Sequence, residues 1–523
     1  MRRGIERKFT KRTHLVMYKR GRIVTQTTPP LSFFPIHHSE NAHCRLPTDS
    51  PRHSKKTQSM NISHILTGYR VCTRTALLAL LFSVLPQIAL QAAKPALIDS
   101  VNVSVGTVVS SKHDLPFWLW ANQDGRVPQV GNSSFTRLRL GRKADDEKEL
   151  DWMYGVDVTM RSNSAEPATR WTDAWGGLVY KNLQLTFGRK SEIFGLADSL
   201  LTAGPEVNSR NAPTIPKIAI STRGYFQLTD MLGVNAYFAH GWFGTDPYSS
   251  GPFLHEKFVY FRFGDTWPDD GVNFYAGIHD NCIWGGKGQP SSFTDYLKVV
   301  SGHQGGSNAV WYDQENSLGD HKGTLETALQ FKGADRDWYL YGMTMFEETG
   351  GFRLFQPGDW LVGASLTFKD PDSMVQRLNV ECIDTRKQSA GALNTELRFS
   401  GQYGGWVHEG YGIGMPFIPF VQGPGNTWYP LNLIKAYSGA VLTRFGPMMN
   451  PLFRISWVDV YGSDPFVISQ IPADKLTSTL SLSLANTMHI NSTWSLSQQF
   501  SADFSKNTTP AIGAFFSISK TWR

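Results

Sequence analysis

The sequence predicts an all-β fold, a transmembrane outer-membrane β-barrel of antiparallel strands. From residue 94 onward, segments in which apolar and polar residues alternate follow one another, and we mark roughly 16 to 19 strands. All 16 Trp also lie in this part of the chain, often at the ends of predicted strands. Aromatic girdles at the two membrane interfaces have this placement. An export signal before residue 94 is the third observation that favours a barrel.

The export signal is the one long apolar run of the chain, ALLALLFSVL at residues 76–85. Arg70 and Arg74 precede it and small residues follow it, which is the pattern of a signal peptide cleaved near residue 93. The run is too short for a membrane-spanning helix, which needs about 20 apolar residues. We therefore interpret 60–93 as a signal peptide, 1–59 as lying upstream of the true start or disordered, and 94–523 as the barrel domain. A signal anchor and a functional basic tail are the alternatives.

The net charge of the chain is misleading. It is +7, from 51 Lys+Arg and 44 Asp+Glu, but residues 1–93 hold 15 of the basic and 3 of the acidic residues, so residues 94–523 carry −5. Because residues 94–523 are acidic overall, the positive charge of the whole chain does not indicate a nucleic-acid partner. Cys282 and Cys382 remain after the leader, in a compartment that permits disulfides, and either pair or stay free. Their spacing matches no metal site.

The alternation within each predicted strand separates an apolar face from a polar face. In NLQLTFG, Leu183, Leu185 and Phe187 alternate with polar residues and glycine, and the C-terminal segment 511–523 alternates in the same way. A soluble β-sandwich fits alternation too. The polar faces, however, carry charges and amides that a dry interior would reject and that a wet or plugged barrel lumen accepts.

The loops complete the expected architecture. Residues 333–337 form a tight hairpin turn, whereas 190–217 and 279–322 are far longer than turns. Long loops of a barrel lie outside the cell or fold into the lumen. Residues 291–300 begin with Ser and predict a short helix packed in or over the lumen. Its apolar residues at helical spacing are Phe293, Leu297 and Val300.

Three segments carry a resemblance to a known family. They are LPFWLWANQDG at 115–125, LHEKFVYFRFGD at 254–265 and IHDNCIWGGKGQPSSFTDYLKVV at 278–300. They resemble the Wzi-like capsule-assembly proteins, in the form found in Bacteroides-type bacteria, and the resemblance covers most of 97–523. It implies an outer-membrane barrel of about 18 antiparallel strands whose lumen is partly plugged by loops and a short helix. Such a barrel acts as a lectin-like surface component that helps attach or organise exported capsular polysaccharide. The N-terminal helical bundle of some members is not evident, because 98–109 reads as strand or loop.

The first candidate glycan site follows a predicted strand. A polysaccharide offers hydroxyls, ring C–H faces and often carboxylates, so its binder needs aromatic rings beside amides, carboxylates and cations. One segment supplies all of these: His279, Asp280, Asn281, Trp284 and Lys287. The alternative is that His279 and Asp280 form hydrogen bonds within the lumen and hold the plug.

Two further clusters have the same composition. Their candidate polysaccharide-binding residues are Trp242, Asp246, Trp406, His408, Glu409 and Trp428. Membrane-interface girdles or loop packing explain each Trp equally well.

The function we expect is binding of capsular or surface polysaccharide at the cell surface, without turnover. No GxSxG, HExxH or P-loop pattern occurs, so we expect no enzyme, no metal and no cofactor. The expected partners are the polysaccharide, outer-membrane lipid and the barrel-assembly machinery, and we expect a monomer. The alternative is an outer-membrane porin or substrate-selective channel, which would have an open, conducting lumen.

Overall fold

The computed structural model describes residues 97–162, 166–205, 207–244, 251–264, 270–347, 359–386, 406–422, 428–462, 477–506 and 508–523. The predicted signal peptide, and the segment before it, lie outside these ranges.

The described residues form mainly antiparallel strands. The strands are β1 Ser100–Ser110, β2 Ser133–Arg142, β3 Leu150–Arg161, β4 Thr169–Tyr180, β5 Leu183–Arg189, β6 Pro216–Thr222, β7 Phe226–Thr229, β8 Leu232–Trp242, β9 Phe253–Phe263, β10 Gly271–Trp284, β11 Asp320–Lys332, β12 Arg336–Glu347, β13 Trp360–Phe368, β14 Val375–Asp384, β15 Val407–His408, β16 Tyr411–Gly412, β17 Phe420–Gln422, β18 Trp428–Pro430, β19 Leu433–Thr443, β20 Leu452–Gly462, β21 Ser478–His489, β22 Trp494–Ser505 and β23 Ala511–Trp522. The helices are α1 Phe117–Trp120, α2 Phe293–Ser301 and α3 Trp311–Glu315. In these ranges no helix has both the length and the apolar character needed to cross a bilayer.

The large sheet closes on itself. Each strand pairs with the next in antiparallel register, and β1 pairs with β2 on one side and with β23 on the other. Segments β6 and β7 both pair with β8 and act as one interrupted strand. Segments β15 to β18 form two small separate sheets within a loop. The described wall therefore has 18 strands, which confirms the predicted antiparallel barrel.

The two ends of the barrel differ in their connections. At the end that holds the N-terminus of β1 and the C-terminus of β23, the turns are short, and the predicted hairpin 333–337 is confirmed there between β11 and β12. The long loops 111–132, 190–215, 285–319 and 385–432 all leave the opposite end. Outer-membrane barrels keep short turns on the periplasmic side and long loops on the extracellular side. This asymmetry places the long loops outside the cell.

The two faces of the wall follow the predicted alternation. Leu183, Leu185 and Phe187 of β5 are all exposed and point outward, as a lipid-facing surface requires. Between them, Thr186 is buried and points into the barrel. Cys282 and Cys382 are both unpaired, and both lie on outward positions of their strands.

The lumen is filled by loops, as expected of a plugged barrel. A buried cluster joins Trp118 of α1, Leu196 of loop 190–215 and Trp406 with Met415 of segment 406–422 to inward residues of the wall such as Tyr341. The hydrophobic core of this protein therefore lies inside the barrel, where apolar loop residues are removed from water. We call these three loop segments the plug: 113–131, 190–215 and 406–422.

The predicted helix over 291–300 forms as α2, but its predicted position is wrong. Ser292 caps it in a capping box with Asp295. Its Tyr296 ring packs against the rings of His240 and His255, which point away from the lumen. Helix α2 therefore covers the outer surface of the wall, and the short helix within the lumen is α1. The face that α2 buries also differs from the prediction, since Val299 is buried while Phe293 and Leu297 are exposed.

Candidate functional site

Two glutamates of the wall hold loop 190–215 inside the barrel. Glu326 on β11 accepts hydrogen bonds from the backbone N–H of Leu196 and, at 2.7 Å, from the Tyr260 hydroxyl. Glu381 on β14 likewise accepts from the backbone N–H of Ala203 at 2.7 Å and from the Tyr341 hydroxyl at 2.7 Å. Both carboxylates are almost fully buried. Hydrogen bonds to carboxylates are among the stronger ones in proteins, so these glutamates are strong polar anchors of the loop.

His279 and Asn281 face the lumen and take part in the same anchoring. The His279 Nε2 atom lies 3.3 Å from Glu256 Oε1 and 3.3 Å from Asn281 Nδ2. Glu256 also accepts a hydrogen bond from Asn208 of the plug and pairs with Lys217 at 2.7 Å. His279, Asn281, Glu256 and Lys217 are all buried. The geometry is the one expected if His279 holds the plug, which was the alternative to glycan contact.

Asp280 and Trp284 lie on the other side of the wall. Successive residues of a strand point to opposite faces, so Asp280 points outward, where its carboxylate lies 3.1 Å from Lys257 Nζ and 3.1 Å from His321 Nδ1. Trp284 stacks on Tyr296 of α2, with ring centroids 5.5 Å apart. Both are covered by residues 285–319, which we call the outer flap. Lys287, at the start of the flap, is exposed.

The second set of predicted site residues is divided between wall and plug. Trp242 is half-buried on the outward face of β8, beside His240, where an interface girdle is expected. Trp406 and His408 are buried in the plug, and the Trp406 Nε1–H donates to the Val207 carbonyl at 2.6 Å. Asp246 lies outside the described residues, as does the side chain of Trp428, whose backbone forms part of β18.

Glu409 of the plug forms an ion pair with the barrel wall. Its carboxylate binds the Arg170 guanidinium of β4. Burial opposes ionisation of the Glu409 carboxyl, but Arg170 and the neighbouring His408 outweigh burial and hold its pKa below the ordinary value. Glu409 therefore stays charged near neutral pH and ties segment 406–422 to the wall. Glycan contact at all these predicted positions stays a prediction.

A cavity of about 790 Å³ opens at the extracellular end between the plug and strands β20 to β23. Pockets for small molecules typically have about 300–1,000 Å³. The cavity reaches the surface at exposed residues of the rim, among them Lys112, His113, Thr508 and Thr509. We call it the mouth cavity.

The plug side of the mouth cavity is aromatic. The rings of Phe117 and Phe417 stack with centroids 5.2 Å apart and an interplanar angle of 22°. Trp120 meets Phe117 edge to face at 5.4 Å, and Phe420 extends this surface toward the rim. These rings come from α1 and from segment 406–422, which the barrel wall brings together although they are far apart in the sequence.

The wall side of the mouth cavity is polar. Inward positions of β21 and β22 contribute the hydroxyls of Thr479, Ser481 and Ser505. The Thr479 and Ser505 hydroxyl oxygens lie 2.7 Å apart. The carboxylate of Asp503 accepts the backbone N–H of Phe117 at 2.8 Å and so fixes the start of α1 against the wall. An aromatic surface faces a row of hydroxyls and a carboxylate across this space.

The sequence did not single out these residues as a site. Thr479 and Ser481 belong to STLSLSLAN, where alternation marks them only as the polar face of a strand. Phe117 and Trp120 belong to LPFWLWANQDG, a segment that indicates the family resemblance but that we did not predict to be a binding site. The three aromatic residues and two amides of this segment were the available signal for a glycan-binding surface.

A match to a family model identifies the protein family of this chain. Residues 120–414, more than half of the chain, match the family model of the capsule assembly protein Wzi. The chain belongs to the Wzi capsule-assembly family. The match includes Trp120, loop 190–215, the outer flap and residues 406–414, so the flap and the greater part of the plug lie within the family region.

Some solved outer-membrane proteins are similar to this Wzi family member, at low sequence identity. It is similar to OpdK of Pseudomonas aeruginosa solved with vanillate, at 8% identity over 81% of this chain and 98% of that one, with a TM-score of 0.42. It is also similar to OccAB2 of Acinetobacter baumannii, at 10% identity over 82% of this chain and 99% of that one, with a TM-score of 0.42. Salmonella typhi OmpF in complex with daunomycin gives 9% identity, coverage of 81% and 97%, and a TM-score of 0.39. A search of the curated proteins found no match.

Proposed function

We propose that this outer-membrane protein of the Wzi family binds exported capsular polysaccharide at its extracellular mouth, without turnover, and so helps attach or organise the capsule at the cell surface. The mouth cavity is the observation that carries the proposal. It opens to the outside, and the plug lies behind it. A segment of polymer can therefore enter from the cell surface.

The lining of the mouth cavity suits a sugar better than a purely apolar or purely charged ligand. A sugar ring presents C–H groups on its faces and hydroxyls at its edges, so a site with rings on one side and hydrogen-bonding groups on the other satisfies both. Phe117 and Trp120 supply the rings; Thr479, Ser505 and Asp503 supply acceptors and donors. Each contact is weak, but a repeating polymer engages many copies of the protein at once, and such multivalent attachment raises the overall affinity strongly.

The electrostatics fit a glycan of low charge density. The rim carries Lys112 beside Asp114, and Asp503 lies deeper in the mouth cavity. No described residue makes this cavity strongly cationic. We therefore infer that recognition depends on stacking and hydrogen bonds, so the affinity should change little between low and physiological salt.

A single substitution on the wall tests this proposal. Thr479→Trp places a large ring in the mouth cavity and leaves every plug residue unchanged. We expect the affinity for fragments of the capsular polysaccharide from the same cells to fall at least about tenfold, or about 1.4 kcal/mol. The measurement is equilibrium binding to purified protein in lipid nanodiscs.

Thr487→Trp is the matched control. Thr487 lies on the same strand and face, toward the periplasmic end, and its hydroxyl contacts Ser497 on β22 at 3.0 Å as that of Thr479 contacts Ser505. We expect this variant to bind like the wild type. Unchanged binding by Thr479→Trp, or equal losses in both variants, would contradict the proposal.

A further inference from the structure

The outer flap lies against the membrane-facing side of the barrel, above the lipid-facing band. On β9 and β10, the outward residues toward the periplasmic end are apolar, as Phe263 and Phe274 show. Farther along the same outward rows the residues become ionisable, namely Lys257 and Asp280. The flap begins to cover the wall at this transition. Such a change from apolar to charged residues is what a membrane protein shows where the hydrocarbon core gives way to headgroups.

The flap is fixed to the wall by its inner side. The Lys257 ammonium donates to the Val300 carbonyl at the end of α2, at 2.6 Å, and pairs with Asp280 at 3.1 Å. Val299 is buried in a cluster with Cys282 and Trp284 of β10. The helix is therefore held in one orientation, and its opposite side is fixed outward.

That opposite side is apolar. Phe293 and Leu297 are 75% and 50% exposed, and they lie four residues apart, so they share one face of α2. Trp311 of α3 is 74% exposed in the same flap. Helices that lie in a membrane interface bury such a face at the boundary between headgroups and acyl chains.

We propose that the outer flap is a lipid-contacting element, in which Phe293 and Leu297 insert into the outer leaflet beside the barrel. The occupant is membrane lipid because this face is continuous with the lipid-facing wall of β8 to β10 and stands at the level where that wall changes from apolar to charged. The exposed Lys287 at the start of the flap adds a cation where lipid headgroups carry anionic groups. The contact anchors the flap from outside while the inner face of the wall holds the plug, and it is independent of polysaccharide binding.

Site-specific photocrosslinking tests this contact without disturbing the fold, since Phe293 is exposed. A benzophenone amino acid replaces Phe293 in the full chain, which is reconstituted in phosphatidylcholine and phosphatidylglycerol vesicles with radiolabelled acyl chains. Two controls carry the same group, one at Phe274 on the lipid-facing wall and one at Thr508 in an extracellular loop. We expect lipid adduct at 293 at least about fivefold above that at 508 and comparable to that at 274, because acyl chains surround an inserted ring and water surrounds the loop.

Two results would overturn the proposal. One is a lipid yield at position 293 no higher than at 508, which would place the flap in water. The other is predominant crosslinking to a second copy of the chain, which would make this face a protein interface.

Discussion

Replacing Glu326 and Glu381 together by Ala is expected to turn a closed barrel into a conducting one. Each carboxylate accepts a buried backbone N–H of loop 190–215 and a tyrosine hydroxyl of the wall. Loss of a carboxylate leaves these donors unpaired, and each unsatisfied buried group costs about 1–3 kcal/mol. Other contacts of the loop, among them the Asp198–Arg377 ion pair, the Asn208–Glu256 hydrogen bond and the apolar contacts of Leu196 and Ala203, would then have to hold it against this cost. We expect the loop to leave the lumen for a substantial fraction of the time.

Planar-bilayer recordings of the purified protein measure this effect. The wild type should show little steady current, and the double variant should show frequent or continuous open events of porin-like size. Glu149→Ala is the control, because Glu149, in the turn between β2 and β3, forms an exposed ion pair with Lys181 in the turn between β4 and β5. Large, steady conductance of the wild type would contradict the plugged lumen, and an unchanged double variant would show that the glutamates do not hold the loop.

Trp406→Ala should produce the largest loss of stability of any single substitution considered. Trp406 is fully buried at the centre of the plug, and its indole N–H is bonded to Val207 of the neighbouring loop segment. Truncation of a buried Trp to Ala typically costs about 3–5 kcal/mol, since it removes apolar contact and leaves a cavity. The free energy of unfolding, from urea titration in detergent micelles, is the measurement.

Trp311→Ala is the matched control for that substitution. Trp311 is largely exposed on the outer flap, and surface substitutions usually change stability by about 0.5 kcal/mol or less. A loss at position 406 no larger than that at position 311 would show that the plug contributes little to the stability of the barrel.

The sequence was sufficient for the fold because alternation is a local property. Leu183, Leu185 and Phe187 could be assigned to one face of a strand without knowing any contact, and that face is the lipid-facing one. The range of 16 to 19 strands and the hairpin at 333–337 follow from the same pattern and from turn residues. The long loops were found by length and by their Gly, Pro and Asn content.

The position of each long loop, inside or outside the barrel, could not be predicted from alternation or from loop length. Loop 190–215 enters the lumen and the outer flap packs outside the wall, yet both are long and rich in turn residues. The two loops differ in the face of the wall that binds them. Glu326 points inward and binds Leu196 of loop 190–215, whereas Lys257 points outward and binds Val300 of the outer flap. Only the closed barrel provides this information, because closure determines which of the two alternating faces of each strand points into the lumen. The mouth cavity was missed for the same reason, since its aromatic residues and its hydroxyls meet only after β1 pairs with β23.

The central claim is that the mouth cavity holds capsular polysaccharide at the cell surface, and capsule retention tests it most directly. Cells that make the polysaccharide, and whose own copy of the protein is replaced by the wild type, Thr479→Trp or Thr487→Trp at equal surface levels, are washed, and the polysaccharide on the cells and in the medium is quantified. We expect the wild type and Thr487→Trp to keep the polysaccharide on the cells, and Thr479→Trp to release most of it into the medium. Equal retention by Thr479→Trp and the wild type would contradict the claim.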